Sequence, residues 1–167
     1  MRDNIDLVIF GSQGDLAKRK LLPALYRLDK ADLLPDNARI ASVARHQIST
    51  NIYLNQVQEN LQQVIPKKEW DNKVWTRFKR RIYYIKVDFS QKKQFNHVSD
   101  WMEENRKVIF YLATPPSLYE SICKHMASTG CVSENTRIVL EKPIGHDLLS
   151  SKQVNDDFIL YTSPSPR

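Results

Sequence analysis

The sequence predicts an α/β domain whose doubly wound parallel sheet is covered by helices on both faces, giving three layers. Short apolar runs rich in β-branched and aromatic residues alternate with longer segments of helical periodicity. Runs that are apolar on both sides are typical of parallel strands buried between two helical layers. The predicted strands are residues 6–10, 40–44, 82–87, 108–113 and 138–140.

The first two helices are predicted from their apolar spacing. The first follows the turn after residue 10 and is expected to bury Leu21, Leu25 and Leu28. Pro23 lies inside this pattern and should kink the helix or mark an adjusted turn. The second covers roughly 50–64, with an apolar side formed by Ile52, Val57, Leu61 and Val64.

A basic segment follows, and it permits two interpretations. Trp70, Val74 and Phe78 recur every four residues, which predicts the buried stripe of an amphipathic helix with its charges in solvent. Aromatic residues among lysines and arginines also occur in nucleic-acid-binding surfaces, so a basic nucleic-acid binder is the competing hypothesis. The helical interpretation is favoured, and no nucleic-acid partner is expected.

Three further helices complete the alternation. The fourth is expected after Ser90, a good N-cap, and buries Phe95, Val98 and Met102. The fifth opens at Pro115 and Pro116 and carries Leu118, Ile122 and Met126 on one side. A last helix is expected after Asp147.

The turn after the first strand predicts a cradle for a dinucleotide pyrophosphate. Gly11 allows a tight turn, Gly14 allows close approach of the backbone to phosphates, and Ala17 is small enough for helix–strand packing. The start of the helix then offers N–H groups to an anion. The spacing is Gly-x-x-Gly-x-x-Ala, and an ordinary strand-to-helix turn is the alternative. The buried strand before it favours a Rossmann-like domain.

Composition limits the classes of protein. The 167 residues suit one domain, and 41% hydrophobic residues can fill a core. No apolar run is long enough to cross a bilayer and no signal peptide is evident, so a cytoplasmic protein without a membrane partner is expected. Cys123 and Cys131 have neither metal nor redox spacing, which predicts two reduced thiols and no metal. The net charge of +6 suits phosphate-bearing ligands.

Arg45, at the end of the second strand, indicates which dinucleotide is bound. NAD-binding domains place an acid near this point, whereas NADP-binding domains place an arginine that grips the 2′-phosphate. Arg45 has no acidic neighbour in sequence, which favours NADP over a surface arginine. His46 could assist it.

The ends of the fourth and fifth strands also carry unusual residues. Thr114-Pro115-Pro116 stiffens the turn beside the expected crevice. Glu141-Lys142-Pro143 ends the fifth strand. Lys142 could reach a substrate hydroxyl or phosphate, and a stabilising salt bridge is the competing explanation.

Taken together, residues 8–18, Arg45, residues 111–116 and residues 141–148 resemble the amino-terminal domain of the glucose-6-phosphate dehydrogenases. The resemblance covers Asn4 to about Phe158. It implies NADP-dependent oxidation of glucose 6-phosphate to 6-phosphogluconolactone, which opens the oxidative pentose phosphate pathway. It also implies a homo-oligomeric parent enzyme.

The resemblance assigns roles to particular residues. Arg45 would hold the 2′-phosphate, Asp88 and Phe89 would lie near the adenine, and Tyr119 would contact the cofactor. Lys142 would contact both substrate and nicotinamide. The phosphate loop would consist of Gly11, Ser12, Gln13, Gly14, Asp15, Leu16, Ala17 and Lys18.

The chain departs from the family pattern after the matched region. The family's sugar-phosphate-binding segment and catalytic domain have no counterpart here. The general base is also unmatched by any of the four histidines, His46, His97, His125 and His146. The sheet is therefore expected to be incomplete at its C-terminus, and the chain to bind NADP without catalysing turnover.

The last residues shift abruptly to Ser and Pro. Residues 160–167 look like a translated sequencing-library adapter, so residues 1–159 are interpreted as the NADP-binding domain and 160–167 as a foreign tail. A natural Ser/Pro tail is the alternative.

Two other functions remain open. A glucose-fructose-oxidoreductase-like dehydrogenase also has a Glu-Lys-Pro segment, but usually Gly-x-Gly-x-x-Gly, which Gln13 breaks. A non-catalytic NADP-binding module is the third possibility.

Overall fold

A parallel five-stranded sheet organises the molecule. The computed structural model describes residues 4–140. The strands lie in the order β3-β2-β1-β4-β5, and every neighbouring pair is parallel. This confirms the predicted doubly wound sheet. The strands are β1 Ile5–Phe10, β2 Arg39–Ala44, β3 Ile82–Lys86, β4 Lys107–Leu112 and β5 Thr136–Leu140.

Five α-helices connect the described strands, and three of them are preceded by a turn of another helical type. A π-helical turn, Ala17–Leu21, precedes α1, and 3₁₀ turns, Lys92–Phe95 and Pro116–Leu118, precede α4 and α5. The helices are α1 Leu22–Lys30, α2 Thr50–Val64, α3 Asn72–Lys79, α4 Asn96–Trp101 and α5 Tyr119–Ser128. The helix predicted after Asp147 lies outside the described residues, as does the expected incompleteness of the sheet.

The helices cover both faces of the sheet, which confirms the three layers. On one face, α1, α2 and α3 pack Tyr26, Leu61 and Phe78 against strand residues that include Ile9 and Ile40. On the other face, α4 and α5 supply Val98, Ile122 and Met126, which share a core with Val8, Phe10 and Phe110. Adjacent residues of β1 thus belong to different cores, as the alternation of side chains along a strand requires.

The sheet register brings three strand ends to one edge. Phe10, the last residue of β1, pairs with Val43 in β2 and Leu112 in β4. The chain leaves β1 toward β2 on one side and reaches β4 on the other only after β3. The connections therefore reverse direction between β1 and β4, and such a switch point opens a crevice at the carboxyl ends of the strands.

The first helix buries a different stripe from the one predicted. Leu28 is 39% exposed, and the buried residues are Leu22, Tyr26 and Asp29. The predicted stripe is therefore shifted by one residue. The π-helical turn before Pro23 is the physical reason, because its wider winding rotates the following residues about the axis. The adjusted turn expected at Pro23 is confirmed.

The second helix has the predicted bounds but a narrower apolar stripe. Ile52 and Val64 are 51% and 38% exposed, whereas Tyr53, Val57 and Leu61 are buried at four-residue spacing. The prediction was wrong for the two exposed residues because the apolar ring of Tyr53 carries the stripe at its N-terminal end.

The third and fourth helices also differ in detail. The amphipathic interpretation of the basic helix is confirmed, but Trp70 precedes α3, and Trp75 joins Val74 and Phe78 in its buried face. Ser90 does not cap the fourth helix, since its hydroxyl donates to Asp88 Oδ1 at 2.7 Å. Met102 follows α4 and is only partly buried.

Candidate functional site

A cleft of about 400 Å³ lies at the carboxyl edge of the sheet, at the predicted switch point. Residues from the ends of β1, β2 and β4 form its floor, and the segments after β3 and β4 form its walls. The lining residues are Gly11, Gln13, Gly14, Ala44, Arg45, His46, Phe89, Ala113, Thr114, Pro115 and Leu118.

The glycine turn forms the part of the cleft nearest the sheet. Gly11 has a φ of +87°, and a Cβ there would lie 2.8 Å from the carbonyl oxygen of Ala113. A Cβ on Gly14 would lie 3.2 Å from the carbonyl oxygen of Gly11, which accepts the Gly14 N–H at 3.0 Å. Both positions thus favour glycine, and the backbone is open to a ligand where side chains would otherwise stand.

A helix begins directly after this turn, at Asp15. The Lys18 N–H donates to the Gly14 carbonyl at 3.1 Å, which marks the first turn of the helix. Ala17 is fully buried and packs in the same core as Ile9. The first N–H groups of a helix have no intrahelical acceptor, so this end attracts an anion.

Arg45 lies at the β2 side of the cleft, where its guanidinium is available to a ligand. The side chain is exposed and makes no hydrogen bond or ion pair with any other residue of the segment 4–140. Two less exposed arginines differ, because buried Arg81 is paired with Asp29 and partly buried Arg106 with Asp6. An exposed guanidinium fork beside a glycine turn is chemically suited to bidentate binding of a phosphate.

Asp88 and Phe89 follow β3 on the same side. Hydrogen bonds from the Ser90 hydroxyl and N–H lower the pKa of Asp88, and the nearby charges of Arg45 and Lys86 lower it further. An ionised acid from the neighbouring strand therefore stands near Arg45, although sequence showed none beside it. The Phe89 ring lines the cleft and packs edge-on against Phe10, with centroids 5.7 Å apart.

One predicted site residue among those described, Tyr119, is not brought to the cleft. Tyr119 is 1% exposed and packs in the core beneath α5, while Leu118 lines the cleft in its place. The predicted contact between Tyr119 and the cofactor therefore has no support from this geometry. Lys142, with Glu141 and Pro143, lies outside the described residues.

The remaining predicted loop residues have distinct surroundings. Ser12 is 1% exposed and faces the protein interior. The Gln13 side-chain amide donates to Gln56 Oε1 at 3.4 Å. Lys18 borders a second, polar cavity together with His46 and Glu59. Asp15 is exposed and Leu16 is partly buried.

A group of buried hydroxyls behind the glycine turn was not predicted. Ser12, Ser42 and Tyr53 are each at most 2% exposed, and none of the three hydroxyls makes a hydrogen bond of normal geometry with residues 4–140. Burial raises the pKa of Tyr53, and its interactions with Ser42 and Ser12 oppose that effect. The sequence signal was weak, because one serine in a strand and one tyrosine in a helix carry no motif.

The described histidines do not form a catalytic group. The Nδ1 atoms of His97 and His125 lie 3.0 Å from the Lys86 carbonyl and 3.1 Å from the Phe89 carbonyl. Of the described histidines, only His46 lines the cleft, beside Arg45. His146 lies outside the described residues.

Residues 4–140 contain no cluster of three or more His, Cys, Asp or Glu side chains that could hold a metal ion. None of their helices has the length and apolar character needed to cross a membrane. Cys123 and Cys131 are both buried thiols.

Comparison with known proteins identifies relatives over nearly the whole chain. Residues 8–163 match the family model described as glucose-6-phosphate dehydrogenase, NAD binding domain. A glucose-6-phosphate 1-dehydrogenase of Dickeya dadantii is 38% identical over 152 residues, or 90% of this chain and 31% of the relative. One of Mycolicibacterium smegmatis is 38% identical over 160 residues, or 92% of this chain and 32% of the relative.

Solved structures agree with these relatives. The crystal structure of glucose-6-phosphate 1-dehydrogenase from Mycobacterium avium has a TM-score of 0.85 and 29% identity, covering 96% of this chain and 34% of that one. A glucose-6-phosphate dehydrogenase in complex with glucose 6-phosphate has a TM-score of 0.79 at 24% identity, which supports the fold. The chain thus spans about a third of the length of these relatives.

The family match bears on the alternatives left open by the sequence. It favours a glucose-6-phosphate dehydrogenase over a glucose-fructose-oxidoreductase-like enzyme. It also agrees with the cleft, whose glycine turn and helix start suit a nicotinamide dinucleotide. The chain belongs to the NAD-binding domain family of the glucose-6-phosphate dehydrogenases.

Proposed function

We propose that this chain binds NADP in the cleft at the carboxyl edge of the sheet, with Arg45 holding the 2′-phosphate. The observation that carries the proposal is an exposed Arg45 that makes no hydrogen bond or ion pair with residues 4–140 and borders the same cleft as Gly11 and Gly14. NAD lacks the 2′-phosphate, so the bond to Arg45 would be made by NADP alone.

Each part of the cleft suits one part of the cofactor. The glycine turn and the helix beginning at Asp15 would receive the pyrophosphate. Phe89 offers an apolar surface next to Arg45, suitable for the adenine ring. Thr114 and Pro115, after β4, lie across the switch point and would face the nicotinamide half.

Asp88 has a consequence for the choice of cofactor. Its carboxylate is ionised near Arg45 and accepts hydrogen bonds from Ser90, so it would orient rather than replace the arginine. A carboxylate at this place could also accept a hydrogen bond from a ribose hydroxyl of NAD. We therefore expect NADP to be preferred rather than NAD to be fully rejected.

We further propose that the whole protein built on this domain oxidises glucose 6-phosphate to 6-phosphogluconolactone. The oxidation removes a hydride from C1 of the sugar and a proton from its hydroxyl, and bound NADP supplies the hydride acceptor. Within residues 4–140 the one histidine on the cleft, His46, stands at the 2′-phosphate end. The reaction also needs a base within reach of C1, and no histidine among residues 4–140 is placed at that end of the cleft.

The test is replacement of Arg45 by alanine, with isothermal titration of NADP and NAD. Loss of a charge-assisted bidentate contact lowers the binding free energy of NADP by about 1.5–3 kcal/mol, so the Kd for NADP should rise roughly 10- to 100-fold. The Kd for NAD should change by less than about twofold, because no 2′-phosphate is present.

Arg80→Ala is the matched control. Arg80 is also exposed and has no hydrogen-bond or ion-pair partner among residues 4–140, but it borders a cavity formed by Arg77, Arg81 and other residues away from the cleft. Arg80→Ala removes the same charge as Arg45→Ala, so a nonspecific effect of net charge would appear in both variants. Equal losses of NADP affinity in Arg45→Ala and Arg80→Ala would refute the assignment.

A further inference from the structure

Two tyrosines lie behind the loops that border the cleft on its β2 side. Tyr53 on α2 and Tyr84 on β3 have ring centroids 4.8 Å apart, with the ring planes tilted by 39°. Tyr53 is buried and Tyr84 is partly buried. Neither residue lines the cleft, so any influence on a ligand there must act through the loops.

Tyr84 is bonded to the loop that carries Arg45. Its hydroxyl donates to the His46 carbonyl with an O···O distance of 2.6 Å. Burial raises the pKa of Tyr84, so the phenol is protonated at neutral pH and available as a donor. Because His46 directly follows Arg45, this bond fixes the backbone from which the guanidinium extends.

Tyr53 reaches the other loop. Its hydroxyl lies in the buried group with Ser12 and Ser42, and Ser12 is part of the glycine turn. The Ser12 N–H also donates to the Val43 carbonyl at 3.2 Å, which ties the turn to β2. The two tyrosine rings, in contact with each other, therefore lie between the turn that would receive the pyrophosphate and the loop that would receive the 2′-phosphate.

We propose that Tyr53 and Tyr84 are positioning residues that set the distance between the two phosphate-binding loops, with Tyr84 controlling the preference for NADP. This inference rests on the proposed binding of NADP by Arg45. Tyr84 acts on the loop that only NADP uses, whereas Tyr53 acts on the glycine turn that both dinucleotides use. Their loss should therefore have different effects on the two cofactors.

The experiment is Tyr84→Phe in the 167-residue chain, with titration of NADP and NAD. The ring and its contact with Tyr53 are retained, and only the hydrogen bond to the His46 carbonyl is lost. We expect the Kd for NADP to rise about fivefold, as for loss of one hydrogen bond, and the Kd for NAD to change by less than about twofold. Tyr53→Phe should change the binding of both cofactors to the same extent, because Tyr53 acts on the turn that both use.

Tyr83→Phe is the control. Tyr83 precedes Tyr84 on the same strand, is 41% exposed, and packs against Trp101 with centroids 5.6 Å apart, away from both loops. Its variant loses the same hydroxyl group and should bind both cofactors as the parent chain does. A Tyr84→Phe variant that loses NADP and NAD affinity equally, or neither, overturns the proposal.

The failure of this inference can be distinguished from failure of the proposed function. If Arg45→Ala removes the preference for NADP and Tyr84→Phe does not, only the role of Tyr84 is refuted. If Arg45→Ala leaves the preference intact, the assignment of Arg45 is refuted and the role of Tyr84 falls with it. If Tyr84→Phe does not fold, fluorotyrosine incorporated in the parent chain provides a second test. The fluorine NMR signal of Tyr84 should then shift more with NADP than with NAD, and equal shifts contradict the proposal.

Discussion

Gly11→Ala perturbs the glycine turn at the position that its surroundings constrain most. A methyl group there would stand 2.8 Å from the Ala113 carbonyl oxygen and 3.1 Å from Thr114 Cγ2. The backbone at Ala113 cannot easily move away, because its N–H donates to the Phe10 carbonyl at 2.9 Å and continues the pairing of β1 with β4. The substituted residue would also keep a φ near +87°.

Two costs add at this position. A left-handed backbone conformation costs a residue with a Cβ about 1–2 kcal/mol. Crowding against a fixed backbone costs roughly 1–3 kcal/mol more. The free energy of unfolding should therefore fall by about 2–5 kcal/mol, which corresponds to a drop in Tm of roughly 10 °C for a chain of this size.

Gly130→Ala provides the control that separates the two costs. Gly130 has a φ of +79°, yet a Cβ there would have no atom within 4 Å. In this variant the free energy of unfolding should fall only by the conformational cost, about 1 kcal/mol, and NADP should bind as to the parent chain. Thermal unfolding and titration with NADP and NAD measure both effects. Gly11→Ala should weaken the binding of NADP and of NAD to the same extent. A melting curve of Gly11→Ala that coincides with that of Gly130→Ala would refute the reasoning.

Two further predictions concern stability. Burial alone would raise the pKa of Asp6, but hydrogen bonds from Arg39 and Arg106 outweigh it and lower the pKa. The stability from this carboxylate is therefore present above its ordinary pKa of 3.8 and is lost as the pH falls through its lower folded-state value. Asp6→Asn should lower the free energy of unfolding by about 3–5 kcal/mol at neutral pH, and denaturant titrations should show a smaller loss of stability on acidification than in the parent chain. An equal loss of stability on acidification in both chains would contradict this prediction. On α2, Leu61→Ala should lower the free energy of unfolding by about 2–5 kcal/mol, and Ile52→Ala by less than about 0.5 kcal/mol. Urea unfolding measures both values, and similar losses in the two variants would contradict the observed buried stripe.

Much of the fold could be predicted because strand and helix periods differ so clearly in this sequence. The β2 prediction, 40–44, differs from the observed Arg39–Ala44 by one residue, and α2 has the predicted bounds. Hydrophobic periodicity reports which segments are buried on two sides, and a parallel sheet follows from the alternation. The order of the strands, β3-β2-β1-β4-β5, was not predicted and is known only from the structure.

The stripes of individual helices were predicted less well, for identifiable reasons. A π-helical turn cannot be detected by counting residues at a fixed period, so the buried side of α1 was misplaced by one residue. Ser90 has the chemistry of an N-cap, but Asp88 two residues earlier takes its hydroxyl in a local turn. In both cases a short-range interaction outweighed the average preference.

The candidate site was predictable where one residue type is required by the backbone. Gly11 and Gly14 are fixed by contacts of 2.8 Å and 3.2 Å that a Cβ would make, and this requirement is visible in the sequence as glycine. The contacts made across strands and behind the loops were not predictable. Tyr84 meets His46 across 38 positions, and Asp88 approaches Arg45 from the next strand. Only the folded register brings them together.

The most direct test of the central claim compares NADP and NAD binding to the unaltered chain at one fixed ionic strength. Calorimetric titration gives both dissociation constants under the same conditions. An exposed Arg45 guanidinium that makes no hydrogen bond or ion pair within residues 4–140 predicts that NADP binds at least about tenfold more tightly than NAD. Equal affinities, or a preference for NAD, would contradict the assignment of the 2′-phosphate to Arg45.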